Sequence, residues 1–176
     1  AENVVRHTNR PVLILTPLAV APQSVEEGIK FGIPINLGFK QEDCKPGINI
    51  TNYEKLHKFD TAHFGGIVLD ESSILKSYGG KTKTTIIDSF RRTRFKLACT
   101  ATPSPNDHME ILNHSEFLGA MESHKALAIW FINDTQNMGS YKIKDHARSD
   151  FWKWVCSWAV SLSKPSNLGY TNEGFD

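Results

Sequence analysis

An α/β domain built on a parallel sheet is the fold this sequence predicts, and three observations predict it. Short apolar runs recur at residues 12–15, 67–69 and 95–99. Each stops abruptly at polar residues: Thr16-Pro17, Asp70-Glu71 and Thr100-Ala101-Thr102-Pro103. Between the runs lie segments with helical spacing of apolar residues. Continuous apolar strands are buried on both faces, and strands that alternate with helices form parallel sheets through right-handed crossovers.

Taken in order, residues 1–8 read as the end of a helix, broken by Asn9-Arg10-Pro11. Residues 12–15 are the first strand. Residues 22–31 are a helix, with Pro22 in its first turn and Gly32 as its stop. Residues 33–39 are a strand shortened by Pro34, and Lys45-Pro46-Gly47 is a turn. Residues 48–51 form a strand and 53–59 a short helix. Gly65-Gly66 lead into the strand ending at Asp70. Residues 82–92 form a helix with Ile86, Ile87 and Phe90 inward. The strand 95–99 follows, then a helix over 109–118 capped by Asn106 or Asp107. From 122 the character changes. Residues 126–131 are apolar and helical, and 138–144 form a polar turn region with room for short strands. Residues 149–162 are a helix capped by Ser149-Asp150, with Phe151, Trp152, Val155, Trp158, Ala159 and Leu162 at helical spacing. Trp152 and Trp158 lie on that stripe and read as core; Trp154 lies off it. The chain therefore divides into a lobe, 1–121, and a helical extension with a linker, 122–176.

Composition narrows the function classes. Hydrophobic content of 40% with 22% charged residues is that of a globular protein. The net charge of +1 gives no global basic field, so any nucleic-acid contact must be local. Cys44, Cys99 and Cys156 lack metal-type spacing and read as reduced thiols of a cytoplasmic protein. No apolar run is long enough for a membrane span, and no membrane partner is expected. The N-terminal residues lack a signal-peptide pattern. The seven histidines have no Cys or His partner at ligand spacing and read as non-metal.

The chemistry-bearing residues sit at the strand ends, where open α/β sheets place ligands. Asp70 at such an end can hold a divalent cation, and Glu71 can orient or deprotonate a water. The same pair can instead open the next helix, where negative charge suits the N-terminal dipole. Gly79-Gly80-Lys81-Thr82 looks like the end of a phosphate loop. However, Leu75 stands where that loop needs its first glycine, and no strand leads directly into it.

The strand ending in Asp70-Glu71, a helix, and then a strand ending in Thr100-Ala101-Thr102-Pro103 resemble motifs II and III of superfamily 2 helicases and translocases. Leu13-Ile14-Leu15-Thr16-Pro17-Leu18 resembles motif Ia, and Ile50-Thr51-Asn52-Tyr53-Glu54-Lys55-Leu56 resembles motif Ib of the Snf-type branch. These matches span roughly the first two-thirds of the chain. The resemblance implies the first RecA-like lobe, a three-layer α/β unit, of an ATP-dependent DNA helicase or translocase. It implies that Asp70 holds the magnesium of Mg-ATP and that Glu71 activates the attacking water. It implies that Thr100 and Thr102 couple the nucleotide to the nucleic-acid side, the alternative being a strand-end turn. Thr16, Pro17, Thr51 and Asn52 would face the DNA backbone, the alternatives being a strand terminator and a helix cap. Departures mark a divergent, phage-type branch: Ser72-Ser73 follow the acidic pair, Ala101 replaces a usual glycine, and Ser24 stands where that branch carries tryptophan. The resemblance also implies that the phosphate loop, its strand and the second lobe lie outside these residues. The strand 95–99 would then lack a neighbour and invite self-association. Two other readings are a binding module without turnover and, with less support, a metal-dependent nuclease using Asp70 and Glu71.

Overall fold

The computed structural model describes residues 1–76, 80–101, 108–133 and 140–175. The chain forms two compact units, Ala1–Leu127 and Ala128–Asp176. The first is the predicted α/β lobe. After helix α1 (Glu2–Thr8) come β1 (Val12–Thr16), α2 (Ala21–Lys30), β2 (Ile35–Leu37), β3 (Ile48–Asn52) and β4 (Gly66–Asp70). Then follow α3 (Lys81–Ser89), β5 (Phe95–Cys99) and α4 (Glu110–Leu118). The five strands form one sheet in the order β2-β3-β1-β4-β5, every pair parallel. Helices flank it in a three-layer arrangement consistent with a RecA-like lobe.

Register decides which side chains share a face. Leu13 and Leu15 of β1 stand level with Ile67 and Leu69 of β4. They join Ile86, Ile87 and Phe90 from the α3 segment and Phe117 of α4 in one core cluster. Val12, Ile48 and Gly66 share the opposite face. There α1 and α2 approach closely. A Cβ on Gly28 of α2 would stand 2.6 Å from the Ile33 carbonyl oxygen, and one on Gly65 would stand 2.8 Å from Thr8 Oγ1. Only glycine allows these approaches. β1, with a strand on each side, is apolar because both its faces are covered.

The order of strands creates a switch. From β1 the chain runs outward through α2 to β2 and returns at β3; from β4 it runs the other way through α3 to β5. The C-terminal ends of β1 and β4 therefore adjoin at a point where the connections diverge, the usual ligand crevice of an open sheet.

In the second unit, which α5 (Ser123–Trp130) enters, β6 (Phe131–Asn133) pairs antiparallel with β7 (Tyr141–Ile143), and α6 (Arg148–Cys156) follows. Lys144 Nζ donates to the carbonyls of Ala128 and Ile129 at 2.9 and 2.7 Å, satisfying orphan acceptors at the end of α5. Trp130 stacks on Trp154 with ring centroids 4.4 Å apart, and Phe131 meets Phe151 edge-on at 5.5 Å.

Several boundaries differ from expectation. The last helix begins at Arg148, with Ala147 as its cap, and stops at Cys156 rather than 162. The Ser157 hydroxyl donates to the Trp154 carbonyl at 2.6 Å, a local bond that competes with helix continuation. Beyond it, Val160 and Leu162 are exposed. Trp152 is 39% exposed and is not core, whereas Trp154, off the predicted stripe, packs among Trp130, Phe151 and Trp158. Phe131, expected as the last residue of a helix, instead opens the strand Phe131–Asn133. The candidate caps Asn106 and Asp107 lie outside the described residues.

Thr51 Oγ1 is buried and has no hydrogen-bond partner. An unsatisfied buried hydroxyl costs about 1–3 kcal/mol, and valine has nearly the same shape and the same strand preference. Thr51→Val should therefore raise the denaturation midpoint by roughly 1 kcal/mol of stability, read by urea unfolding. A loss of stability would show that the hydroxyl has a partner.

Candidate functional site

The site assembles at the switch point. Thr16 ends β1 and Asp70 ends β4, and the register that pairs Leu15 with Leu69 brings them level. Thr16 Oγ1 donates to Asp70 Oδ2 at 3.2 Å. From the turn after β3, the Tyr53 hydroxyl donates to the Asp70 carbonyl at 2.8 Å. Three strand ends are thus tied to one residue. Burial, and then the charges of Asp70 and Glu71, push the Tyr53 hydroxyl pKa far up, so it stays a neutral donor. Cys99, level with Asp70 on β5, has its thiol pKa raised by burial and by Asp70. It is held as a thiol rather than a nucleophilic thiolate.

Glu71 has φ 50°, a left-handed conformation uncommon for a residue with a side chain. The backbone turns there, and the two carboxylates part. Asp70 meets Thr16 on β1, while Glu71 Oε1 accepts a hydrogen bond from Thr100 Oγ1, just past β5, at 3.0 Å. Adjacent acids therefore occupy different surroundings, an arrangement that lets two carboxylates take different chemical roles. Thr102 lies outside the described residues.

Behind the pair, the 3-10 turn Ser72–Leu75 is fixed by α4. Ser72 Oγ lies 3.0 Å from His114 Nε2, and His114 Nδ1 is 3.4 Å from the Glu110 carbonyl. A carbonyl only accepts, so it selects the Nδ1–H tautomer and leaves Nε2 to accept from Ser72. Asn113 Nδ2 donates to the Leu75 carbonyl at 2.7 Å, and Lys83 Nζ donates to Asn113 Oδ1 at 3.4 Å. Ser72, Asn113 and His114 are all buried. Sequence reasoning missed this support. Its signal was Asn113 and His114 directly following the apolar pair Ile111-Leu112 in a helix that closes on Phe117-Leu118.

The residues expected on the nucleic-acid side lie differently. Thr16, Thr51 and Asn52 are buried, at 0%, 1% and 6% exposure, and Pro17 is half-buried. Thr16 serves Asp70, and Asn52 Oδ1 caps the following turn by accepting from Lys55 N at 3.1 Å. Their side chains are committed inward, so any phosphate contact at these strand ends falls to the backbone.

Magnesium commonly takes one or two carboxylates and fills its shell with water and phosphate oxygens. Asp70 beside the Thr16 hydroxyl fits that role; no group of three metal-ligating side chains occurs among the described residues. No phosphate cradle occurs among them either. Gly80 caps α3, and Gly79 is outside the described residues. No protein-family model matches the chain, and no curated protein is significantly similar to it.

Burial lowers the His114 pKa, outweighing its hydrogen bonds to Glu110 and Ser72. A histidine whose folded pKa lies below its unfolded value contributes stability that is whole above the unfolded pKa, about 6.5, and declines as pH falls below it. Thermal unfolding between pH 7 and 5 should show a shallower decline for His114→Gln than for wild type. Equal slopes would mean that His114 is not held neutral.

Proposed function

We propose that this chain is the first motor lobe of an ATP-dependent helicase or translocase of superfamily 2, in a divergent, phage-type branch. The observation that carries the reading is the divergent acidic pair, with Asp70 bonded to Thr16 and Glu71 to Thr100. Asp70 would anchor the magnesium of Mg-ATP, which neutralises charge on the transferred phosphoryl group. Glu71 would orient the attacking water and accept its proton. Thr100 would sense whether Glu71 is engaged and pass that to its own strand. DNA, duplex or single-stranded, is the proposed track, and a second RecA-like lobe the partner that closes the site. Free thiols at Cys44, Cys99 and Cys156 suit a cytoplasmic setting. No helix among the described residues is long and apolar enough to cross a membrane.

A second reading, a nucleic-acid or protein binding module without turnover, is favoured by the lack of a phosphate cradle among the described residues. Attaching a phosphate-binding loop and a second lobe to this lobe separates the two. In that assembly Glu71→Gln should lower kcat by on the order of a hundredfold or more while Mg-ATP binding persists. Asp70→Asn should weaken Mg-ATP binding as well. Normal hydrolysis by Glu71→Gln, measured by steady-state turnover, would reduce the pair to a chain-turning device. In the same assembly Lys81→Ala should stay within a few-fold of wild type.

The sheet edge supports a further part of the proposal. Among the described residues β5 pairs with β4 alone, Leu97 is 50% exposed, and Cys99 is exposed. An unpaired apolar edge invites strand addition. Sedimentation of the chain alone should show self-association that Leu97→Lys reduces. A monomer at all concentrations would remove this part.

A further inference from the structure

The opposite end of the sheet carries a basic cleft that the acidic pair does not use. It lies where β1, β4 and β5 begin, about 13 Å along β4 from Asp70 at ordinary strand rise. Its volume is about 680 Å³. It is lined by His7, Thr8 and Arg10, by Phe64-Gly65, and by residues 91–95. Four arginines, Arg10, Arg91, Arg92 and Arg94, face a single carboxylate, Asp88. The whole chain carries a net charge of only +1, so this is a local concentration of positive charge.

The arginines are not equivalent. Arg91 is paired with Asp88 at 2.7 Å, and Arg10 donates to the Ala62 carbonyl. Arg92 and Arg94 are exposed and make no ion pair among the described residues; Arg94 lies over the Phe95 ring at 5.5 Å. Two guanidinium groups are thus held in place and two are open to an anion. No lysine lines the cleft. The planar fork of arginine matches the paired oxygens of a phosphate, which a point charge does not.

We infer that this cleft binds the phosphodiester backbone of a nucleic acid. An acidic peptide fits less well. Phe64 is 2% exposed, so its ring is committed to the core and is not presented to a ligand's side chains. A phosphodiester needs no apolar pocket, because phosphate contacts position a strand by charge and hydrogen bonding alone. The inference stands apart from the nucleotide site and requires no ATP.

Binding of a fluorescent twelve-nucleotide oligothymidylate, and of the matching RNA, is to be measured by anisotropy against salt without nucleotide. Arg92→Gln with Arg94→Gln should weaken binding roughly tenfold or more near 0.1 M salt and lower the slope of log affinity against log salt by about 1.4. Lys40→Gln with Lys81→Gln, two exposed positions of the same unit that do not line the cleft, should leave both quantities nearly unchanged. Binding of both strands supports the common phosphodiester chemistry, and binding of one assigns the sugar preference. No binding, equal losses in the two double variants, or polyglutamate competing as well as the oligonucleotide would overturn the inference. So would inorganic phosphate displacing the oligonucleotide at equal phosphate concentration.

Discussion

The lobe depends on the pairing of β1 with β4. Their residues are more than fifty positions apart, yet every later feature of the site follows from their register. It sets Thr16 beside Asp70, closes the core through Leu13, Leu15, Ile67 and Leu69, and puts the switch of chain direction at their shared end. A shift of one residue would turn the apolar set of β4 to the other face and leave Asp70 without its hydroxyl. Burial of both faces of β1 is what forbids that shift.

Around this junction, polar groups are used sparingly and in sequence. Tyr53 reaches Asp70 from the β3 side, Thr100 reaches Glu71 from the β5 side, and α4 holds the turn between through His114 and Asn113. Each link joins a different element to one short stretch, 70–75. The stretch is therefore defined by neighbours rather than by its own secondary structure. A site on such a stretch is rigid as long as the core beneath it is.

Much of this was legible in the sequence, and for identifiable reasons. β1 and β4 are apolar runs with polar stops, and burial on both faces makes such runs strands in an α/β chain; β5 shows the same polar stop on a half-exposed edge strand. The divergence of Asp70 and Glu71 comes from the left-handed backbone at Glu71, just past the end of β4, which no local pattern announces. What escaped was whatever depends on contacts between distant segments. Thr51 and Thr16 are short polar residues that suit either a surface or a buried hydrogen bond, and only the register decides. Ser72 and His114 are separated by forty-two positions, and nothing local joins them. The early stop of α6 goes with the Ser157 hydroxyl on the Trp154 carbonyl and with Val160 and Leu162 left exposed beyond it, and the spacing of apolar residues reports neither.

Glu71 carries one more consequence. Its left-handed backbone is one that glycine or asparagine adopts with less strain. A library of this lobe sorted only for resistance to heat or protease would tend to enrich those residues at position 71. Under the proposed role of Glu71 as the water-activating base, a library sorted for turnover would keep the glutamate and accept the cost. Position 71 is thus where selection for durability and selection for work pull apart, and the two winning sequences would disagree there first.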